Sequence, residues 1–149
     1  GLESRNGGLR AVAGYRRAAA GPLFLEQYLA RPVEQDLSAR RGATVARGDI
    51  VEVGNLAGGS CRAARHLVSL LPRYLLDRGY TWVVFTATGV VRDILTSLGG
   101  NLVELAPADA SRLAGDASAW GRYYEHDPRV MAGYLPSGIH LSSRSRSRR

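Results

Sequence analysis

The sequence predicts an α/β (α+β) domain in which helices flank a central sheet with at least one parallel strand pair. The first observation is an alternation of strand and helix patterns, with strands at Asp49–Ala57 and Thr81–Ala87 around a helix at Ala63–Asp77. Two strands joined through a helix normally pair in parallel. The second is chain length: 149 residues, 45% of them hydrophobic, suffice for one domain with its own core.

The first half of the chain carries one strand pattern and two helical patterns. Residues Leu9–Tyr15 alternate weakly and predict a strand, and Leu23–Leu29 has a helical apolar face made of Leu25, Tyr28 and Leu29. A helix is expected at Val33–Arg41, and Gly42 should end it.

The second half contains the central unit. In the Asp49–Ala57 strand, alternation places Val51, Val53 and Asn55 on one face and Ile50, Glu52 and Gly54 on the other. Ser60 is a good N-cap for the Ala63–Asp77 helix. Its expected apolar face comprises Leu67, Leu70, Leu71, Tyr74 and Leu75.

Further elements follow the second strand of this unit. Thr88 should cap a helix at Gly89–Leu98, and Asn101–Leu105 should form another strand. Asp116 should cap a last helix that reaches about Tyr124.

Charge is concentrated at one end of the chain. The net charge is +7, and the Ser/Arg segment at 141–149 carries four Arg and no acid, so the remainder carries 7 − 4 = +3. We expect this tail to be disordered. It could bind nucleic acid, but a solvated end is the favoured interpretation, and no nucleic-acid partner is predicted.

The composition narrows the function classes. Cys61 is the one cysteine, which excludes an intramolecular disulfide and argues against a cysteine zinc site; a reducing, cytoplasmic location is compatible with it. His126 and His140 lack metal-like spacing, so no metal is predicted. There is no apolar run of about 18 residues, so no transmembrane segment is expected.

The Gly58-Gly59-Ser60 turn is a candidate anion site. It joins a strand end to a helix N-terminus, where unpaired N–H groups and the helix dipole favour a phosphate, and Arg62 and Arg65 follow in the first turns. The alternative is a tight strand-to-helix turn without a ligand.

Four kinds of side chain come into question for chemistry. Glu52 lies in an apolar strand; burial would raise its pKa toward values useful to a general base, whereas a position at a sheet edge would leave it in water. Asn55 could orient a substrate or cap the turn. Cys61 is disfavoured as a nucleophile because no base is well placed. Core packing is the favoured role of Tyr123 and Tyr124 beside Trp120, and a general acid is the alternative.

Several segments together resemble the thermostable hemolysin family, a group with a GNAT-like acyltransferase fold related to acyl-homoserine-lactone synthases. They are Ala13-Gly14-Tyr15-Arg16, Leu23 to Leu29, Ile50-Val51-Glu52-Val53-Gly54-Asn55-Leu56-Ala57, Trp82 to Thr88, Trp120-Gly121-Arg122-Tyr123-Tyr124 and Pro128 to Gly133. The resemblance implies a domain at 9–140 with a mixed central sheet, lacking the N-terminal part of the family. Residues 1–8 are a polar, glycine-containing segment, and we expect them to be a flexible lead-in.

The resemblance also implies a site. The strands at 49–57 and 81–87 should splay and hold the pantetheine arm of acyl-CoA or of an acyl-carrier protein, with Glu52 as the base, Asn55 near the oxyanion and Tyr123 or Tyr124 as the acid. The carrier phosphates should contact Leu56, Ala57, Gly58, Gly59, Ser60, Cys61, Arg62 and Ala63. This loop lacks the usual Arg/Gln-x-x-Gly-x-Gly/Ala pattern, which leaves an acyl-carrier protein, or no carrier, as alternatives to coenzyme A.

The expected function is therefore transfer of an acyl group from acyl-CoA or acyl-carrier protein to a small amine acceptor, without a metal. The alternative is a non-catalytic or membrane-active, haemolytic protein that retains the fold.

Overall fold

The computed structural model describes residues 1–3, 5 and 7–137, apart from the side chains of Leu2, Asn55 and Ala57. The expectation of a disordered tail at 141–149 lies outside this part. The strands are β1 Leu2–Glu3, β2 Leu9–Arg17, β3 Ile50–Gly58, β4 Trp82–Ala87, β5 Leu102–Pro107 and β6 Arg129–Tyr134. The α-helices are α1 Val33–Arg41, α2 Cys61–Leu76 and α3 Gly89–Ser97.

The strands form one sheet in the order β1-β2-β3-β4-β6-β5. β3 and β4 pair in parallel, and the other neighbouring strands pair antiparallel. Helix α2 connects the parallel pair, as a crossover connection requires. The predicted mixed sheet with a parallel pair is thus confirmed.

Alternation along β3 divides the core between the two sheet faces. Ile50 joins the larger cluster, which contains Val84, Val33 and Leu37 and therefore covers the face packed against α1. Val51 lies on the opposite face with Leu75 of α2 and with Leu135. We call these the α1 face and the α2 face; the predicted division of β3 side chains is confirmed for Ile50 on the first and for Val51 and Val53 on the second.

Several local predictions are confirmed at the ends of helices. Helix α1 has the predicted bounds, and Gly42 follows it with a left-handed backbone (φ 70°). The Ser60 hydroxyl accepts a hydrogen bond from the Ala63 N–H at 3.1 Å, as an N-cap should. Thr88 occupies the N-cap position of α3, but its side chain forms no capping hydrogen bond.

Helix α2 differs from its prediction in the width of its apolar face. Leu67 and Leu75 are buried, but Leu70 and Tyr74 are 39% and 42% exposed. The core beneath α2 consists of two small clusters, one around Leu67 and one around Leu75. Residues of α2 that lie to the side of these two leucines therefore remain partly exposed at the edge of the core. The Tyr74 ring instead packs edge-on against Tyr15 of β2 at 6.3 Å.

The single helix predicted from Asp116 to Tyr124 is wrong. Two 3-10 segments, Ala117–Trp120 and Tyr123–His126, replace it. Gly121 separates them with a positive φ of 57°, a conformation that glycine adopts at low cost and that ends a helix. Asp116 does cap the first segment, since its carboxylate accepts the Ser118 N–H at 2.9 Å.

Among the described residues, the α-helices are all too short or too polar to cross a bilayer.

Candidate functional site

The parallel strands β3 and β4 separate early. Their pairing covers three positions, Ile50 with Trp82, Val51 with Val83 and Glu52 with Val84. Beyond them β3 continues to Gly58 along β2, and β4 continues to Ala87 along β6. An irregularity in the β2–β3 pairing between Val12 and Gly14 lies beside this point, where a bulge would increase twist and bend. We call the opening between residues 53–58 and 85–87 the fork.

Glu52 lies at the base of the fork and is 9% exposed. One carboxylate oxygen accepts the Phe24 N–H at 2.9 Å, and the other accepts the Leu25 N–H at 3.0 Å. Burial raises the pKa of Glu52, although these two hydrogen bonds and the nearby charge of Arg16 act in the opposite direction. Of the two environments that the sequence leaves open, the structure shows the buried one.

Arg16 is paired with Glu52 across β2 and β3, so the two side chains share the α1 face. They do not form an ion pair; the Arg16 guanidinium instead donates one long hydrogen bond, 3.4 Å, to the Pro22 carbonyl. Arg16 is not predictable as a candidate site residue from the sequence, because its position beside Glu52 depends on strand register.

An aromatic cluster adjoins Glu52 on the same face. It is built from Phe24, Tyr28, Trp120, Tyr123 and Tyr124, whose rings pack with centroid separations of 5.3 to 6.4 Å. Phe24 links the cluster to the carboxylate directly, because its N–H is one of the two groups bound to Glu52.

Two phenols within this cluster are hydrogen-bonded. The hydroxyls of Tyr28 and Tyr124 are 2.6 Å apart, and Tyr28 is 3% exposed. Burial, the bond to Tyr124 and the nearby charges of Tyr124, Tyr123 and Glu52 raise the pKa of Tyr28 far above its ordinary value. Burial and Tyr124 also raise the pKa of Tyr123. The structure therefore brings Glu52, Tyr123 and Tyr124 into one region and adds Tyr28.

An open groove of about 410 Å³ runs past the cluster. Arg16, Phe24 and Trp120 line it, together with Gln27, Leu113 and Gly115. Phe24 and Trp120 are both more than 40% exposed, so their rings offer apolar surface to a ligand.

The loop at Leu56 to Ala63 lies at the far end of β3. The Gly59 N–H is bonded to the Arg10 carbonyl at 2.9 Å, and the Ala63 N–H is bonded to the Ser60 hydroxyl. Leu56, Cys61 and Arg62 are exposed. The side chains of Asn55 and Ala57 lie outside the described part. An anion at this loop would thus bind donors other than the Gly59 and Ala63 N–H groups.

Thr86 is a polar residue on the other side of the fork that the sequence analysis also missed. Its hydroxyl oxygen is buried, and the described part of the chain supplies no hydrogen-bond partner for it. Alternation from Val84 places Thr86 on the α1 face, the face of Glu52. A buried hydroxyl without a partner is costly, so a ligand oxygen in the fork would satisfy it. A lone hydroxyl residue in an apolar strand is the sequence signal for such a position.

Arg92 of α3 holds the end of β4. It donates to the Ala87 carbonyl at 2.9 Å and to the Asp127 carboxylate at 2.9 Å, which ties the fork to the segment before β6. No cluster of potential metal ligands occurs within the described ranges.

Solved structures similar to this chain share its fold. TofI, in a ternary complex with an inhibitor and MTA, superposes with a TM-score of 0.61 at 11% identity, over 90% of this chain and 61% of TofI. MesI, a CoA-dependent acyl-homoserine lactone synthase, gives 0.61 at 15% identity, over 96% of this chain and 66% of MesI.

FeeM, an N-acyl amino acid synthase from uncultured soil microbes, gives 0.58 at 17% identity, over 93% of this chain and 73% of FeeM. The chain thus spans less than two thirds of the length of TofI and MesI. A search of curated proteins found no match. At the level of sequence, the family model for thermostable hemolysin matches residues 1–139, and the chain belongs to this family.

Proposed function

We propose that this protein is an acyltransferase that moves an acyl group from a coenzyme A or carrier-protein thioester to an amine. The observation that carries the proposal is the fork between β3 and β4 with the buried Glu52 at its base. Structures of the same fold include a CoA-dependent synthase and an N-acyl amino acid synthase, which supports this reaction class.

The acyl donor occupies the fork in this proposal. Beyond Glu52 and Val84 the facing strand edges no longer pair with each other, so an extended pantetheine arm can bond to their backbone groups. The phosphates lie at Leu56 to Ala63, where the first N–H groups of α2 lack intrahelical partners and Arg62 adds charge. Glu52 and Leu56 are four residues apart, roughly 13 Å along the strand, so the arm spans that distance.

Glu52 is the base. The amine nitrogen attacks the thioester carbonyl carbon and transfers a proton to the Glu52 carboxylate as the C–N bond forms. The C–S bond then breaks with its electron pair on sulfur, which takes up a proton, and the products are an amide and a thiol. Strand N–H groups near Asn55 and the Thr86 hydroxyl stabilise the oxyanion.

The phenols supply the acid. Tyr28 is protonated at neutral pH, as a phenol ordinarily is, and its hydroxyl contacts that of Tyr124. Tyr124, or the neighbouring Tyr123, donates a proton to the leaving sulfur and is reprotonated from solvent, while Glu52 releases to solvent the proton that it took from the amine.

Binding and turnover with the acyl donor test the proposal. We expect calorimetric binding of an acyl-CoA or an acyl-carrier protein, and thiol release when an amine is added. Glu52→Gln should lower kcat roughly 100- to 10,000-fold, as expected for a lost general base, while donor binding persists. Glu104→Gln, at an exposed carboxylate of β5, is the control and should retain full activity.

Because Glu52 also binds two backbone N–H groups, the Gln variant needs a thermal melt to show that it is folded. Absence of binding to acyl-CoA of any chain length and to acyl-carrier protein would overturn the proposal. Leakage of liposomes that Glu52→Gln leaves unchanged, without thiol release, would favour the non-catalytic alternative.

A further inference from the structure

We propose that the acceptor amine carries a carboxylate, which Arg16 binds in the groove lined by Phe24 and Trp120. The inference rests on the proposed function and narrows its acceptor to amino-acid-like molecules.

Arg16 has donors to spare for a ligand. Its guanidinium carries five N–H groups, and the one described hydrogen bond is the 3.4 Å contact with the Pro22 carbonyl. The nearest carboxylate along the sheet, Glu52, has both oxygens bound to backbone N–H groups. A carboxylate ligand would match the guanidinium fork with two parallel hydrogen bonds.

The register of the sheet sets the spacing between the two groups. Arg16 and Glu52 are directly opposite each other, so their Cβ atoms lie about 4.5–5.5 Å apart on one face. An α-amino acid holds its amine one carbon away from its carboxylate. With the carboxylate on Arg16, an orientation of the ligand that turns its amine toward Glu52, the carboxylate opposite Arg16, brings the amine to the proposed base.

The groove fits the rest of such a molecule. Its volume of about 410 Å³ lies within the range of small-molecule sites. The rings of Phe24 and Trp120, 5.4 Å apart, form an apolar wall that would contact the acceptor side chain.

Arg16 is placed for the acceptor and not for the phosphates of the acyl donor. In the β2–β3 pairing, Ala11 is opposite Gly58, which belongs to the loop at Leu56 to Ala63 that is proposed to bind the phosphates. Arg16 lies five residues further along β2. That distance is roughly 16 Å at the rise of a strand.

Matched amines test the inference. We would measure kcat/KM by thiol release for phenylalanine, phenylalaninamide and phenethylamine, which share a ring and differ in the carboxylate. The wild-type protein should prefer phenylalanine roughly 10- to 100-fold, the range for a charge-assisted hydrogen bond. Arg16→Ala should reduce this ratio to near one, through KM, and leave the Kd for acyl-CoA within twofold.

Arg17→Ala is the matched control. Arg17 is the next residue of β2, but it pairs with Val51 and therefore lies on the α2 face. It should keep the wild-type preference. A preference that survives Arg16→Ala, or one lost equally in Arg17→Ala, overturns the inference and leaves the acyltransferase proposal standing. Weaker acyl-CoA binding by Arg16→Ala would instead assign Arg16 to the donor. Absence of thiol release with all three amines overturns both proposals.

Discussion

Two glutamates on the α1 side of the sheet, the partly buried Glu26 and the buried Glu52, stand in contrasting surroundings. Both fix the backbone around the 3-10 segment Phe24–Tyr28. Glu26 accepts the N–H groups of Leu23 and Val33, and Glu52 accepts those of Phe24 and Leu25. Each carboxylate thus serves as an anchor for a segment that would otherwise lack partners for these donors.

Glu26 and Glu52 differ in how each interacts with the nearest arginine. Arg47 binds Glu26 at 2.6 Å and Glu34 at 2.8 Å, and it also donates to two backbone carbonyls. Burial acts to raise the pKa of Glu26, but Arg47 and the backbone N–H groups outweigh it and lower the value to about 2. Arg16 lies opposite Glu52 without reaching it, and the pKa of Glu52 is raised.

The contrast separates a structural carboxylate from a candidate functional one. Glu26 and Arg47 satisfy each other, so neither has capacity for a ligand. Glu52 retains the cost of a buried charge without an ion-pair partner among the described residues, and such a cost is concentrated at sites that use the shifted group. A substrate that bridges Arg16 and Glu52 would remove this asymmetry.

The largest expected effect comes from removing the paired arginine. Arg47→Ala leaves Glu26 and Glu34 without their cation, and the free energy of unfolding should fall by about 3 kcal/mol. Urea unfolding at pH 7 measures it. Arg73→Ala is the control, because its ion pair with Asp77 is exposed and should contribute less than about 0.5 kcal/mol. Equal losses in the two variants would contradict the structural role of Arg47.

The next effect is a loss of stability in acid. The pKa of Glu26 is about 2 in the folded state against 4.5 ordinarily, so its contribution is complete above pH 4.5 and is lost as pH falls toward 2. We expect a loss of about 2 kcal/mol over this window, allowing for partial exposure. Unfolding from pH 2 to 7 should show this slope in the wild-type protein and not in Glu26→Gln; parallel curves would refute the assignment.

Glu52 contributes to the pH dependence of stability with the opposite sign to Glu26. Its folded pKa is raised, so its contribution is complete below the ordinary value of 4.5 and is lost as pH rises through the folded pKa.

The smallest expected effect is that of the unpaired arginine. Arg16→Ala should change the free energy of unfolding by less than about 0.5 kcal/mol at pH 7, because Arg16 forms no ion pair with the described side chains. It should also raise the pKa of Glu52 further, since the charge of Arg16 acts to lower it. A loss above about 1 kcal/mol in urea would show that Arg16 is structural after all.

Local signals predicted much of this fold. Helix α1 has the expected bounds because Gly42 supplies a clear stop, and Ser60 caps α2 because its hydroxyl suits that position. The Asp116 prediction failed where two signals competed: the aromatic residues continued a helical pattern, but Gly121 adopted a positive φ and broke it.

The site was harder to predict because it depends on register and on distant partners. A shift of one residue in the β2–β3 pairing would bring Arg17 and not Arg16 to the α1 face, and the irregularity near Val12 cannot be read from the sequence. The burial of Tyr28 was predictable, whereas its contact with Tyr124, 96 residues away, was not.

The short parallel pairing of β3 with β4 affects how the sheet opens locally and how it melts. Three residue pairs, extended by the Thr81 N–H to the Asp49 carbonyl, join one half of the sheet to the other. At so short a pairing the two halves of the sheet can open as separate cooperative units. Amide exchange should therefore be fastest along the unpaired edges of β3 and β4 that border the fork. A molecule bound across the fork would form hydrogen bonds to both strands and so connect the two halves of the sheet. The melting temperature should then rise with the concentration of the ligand.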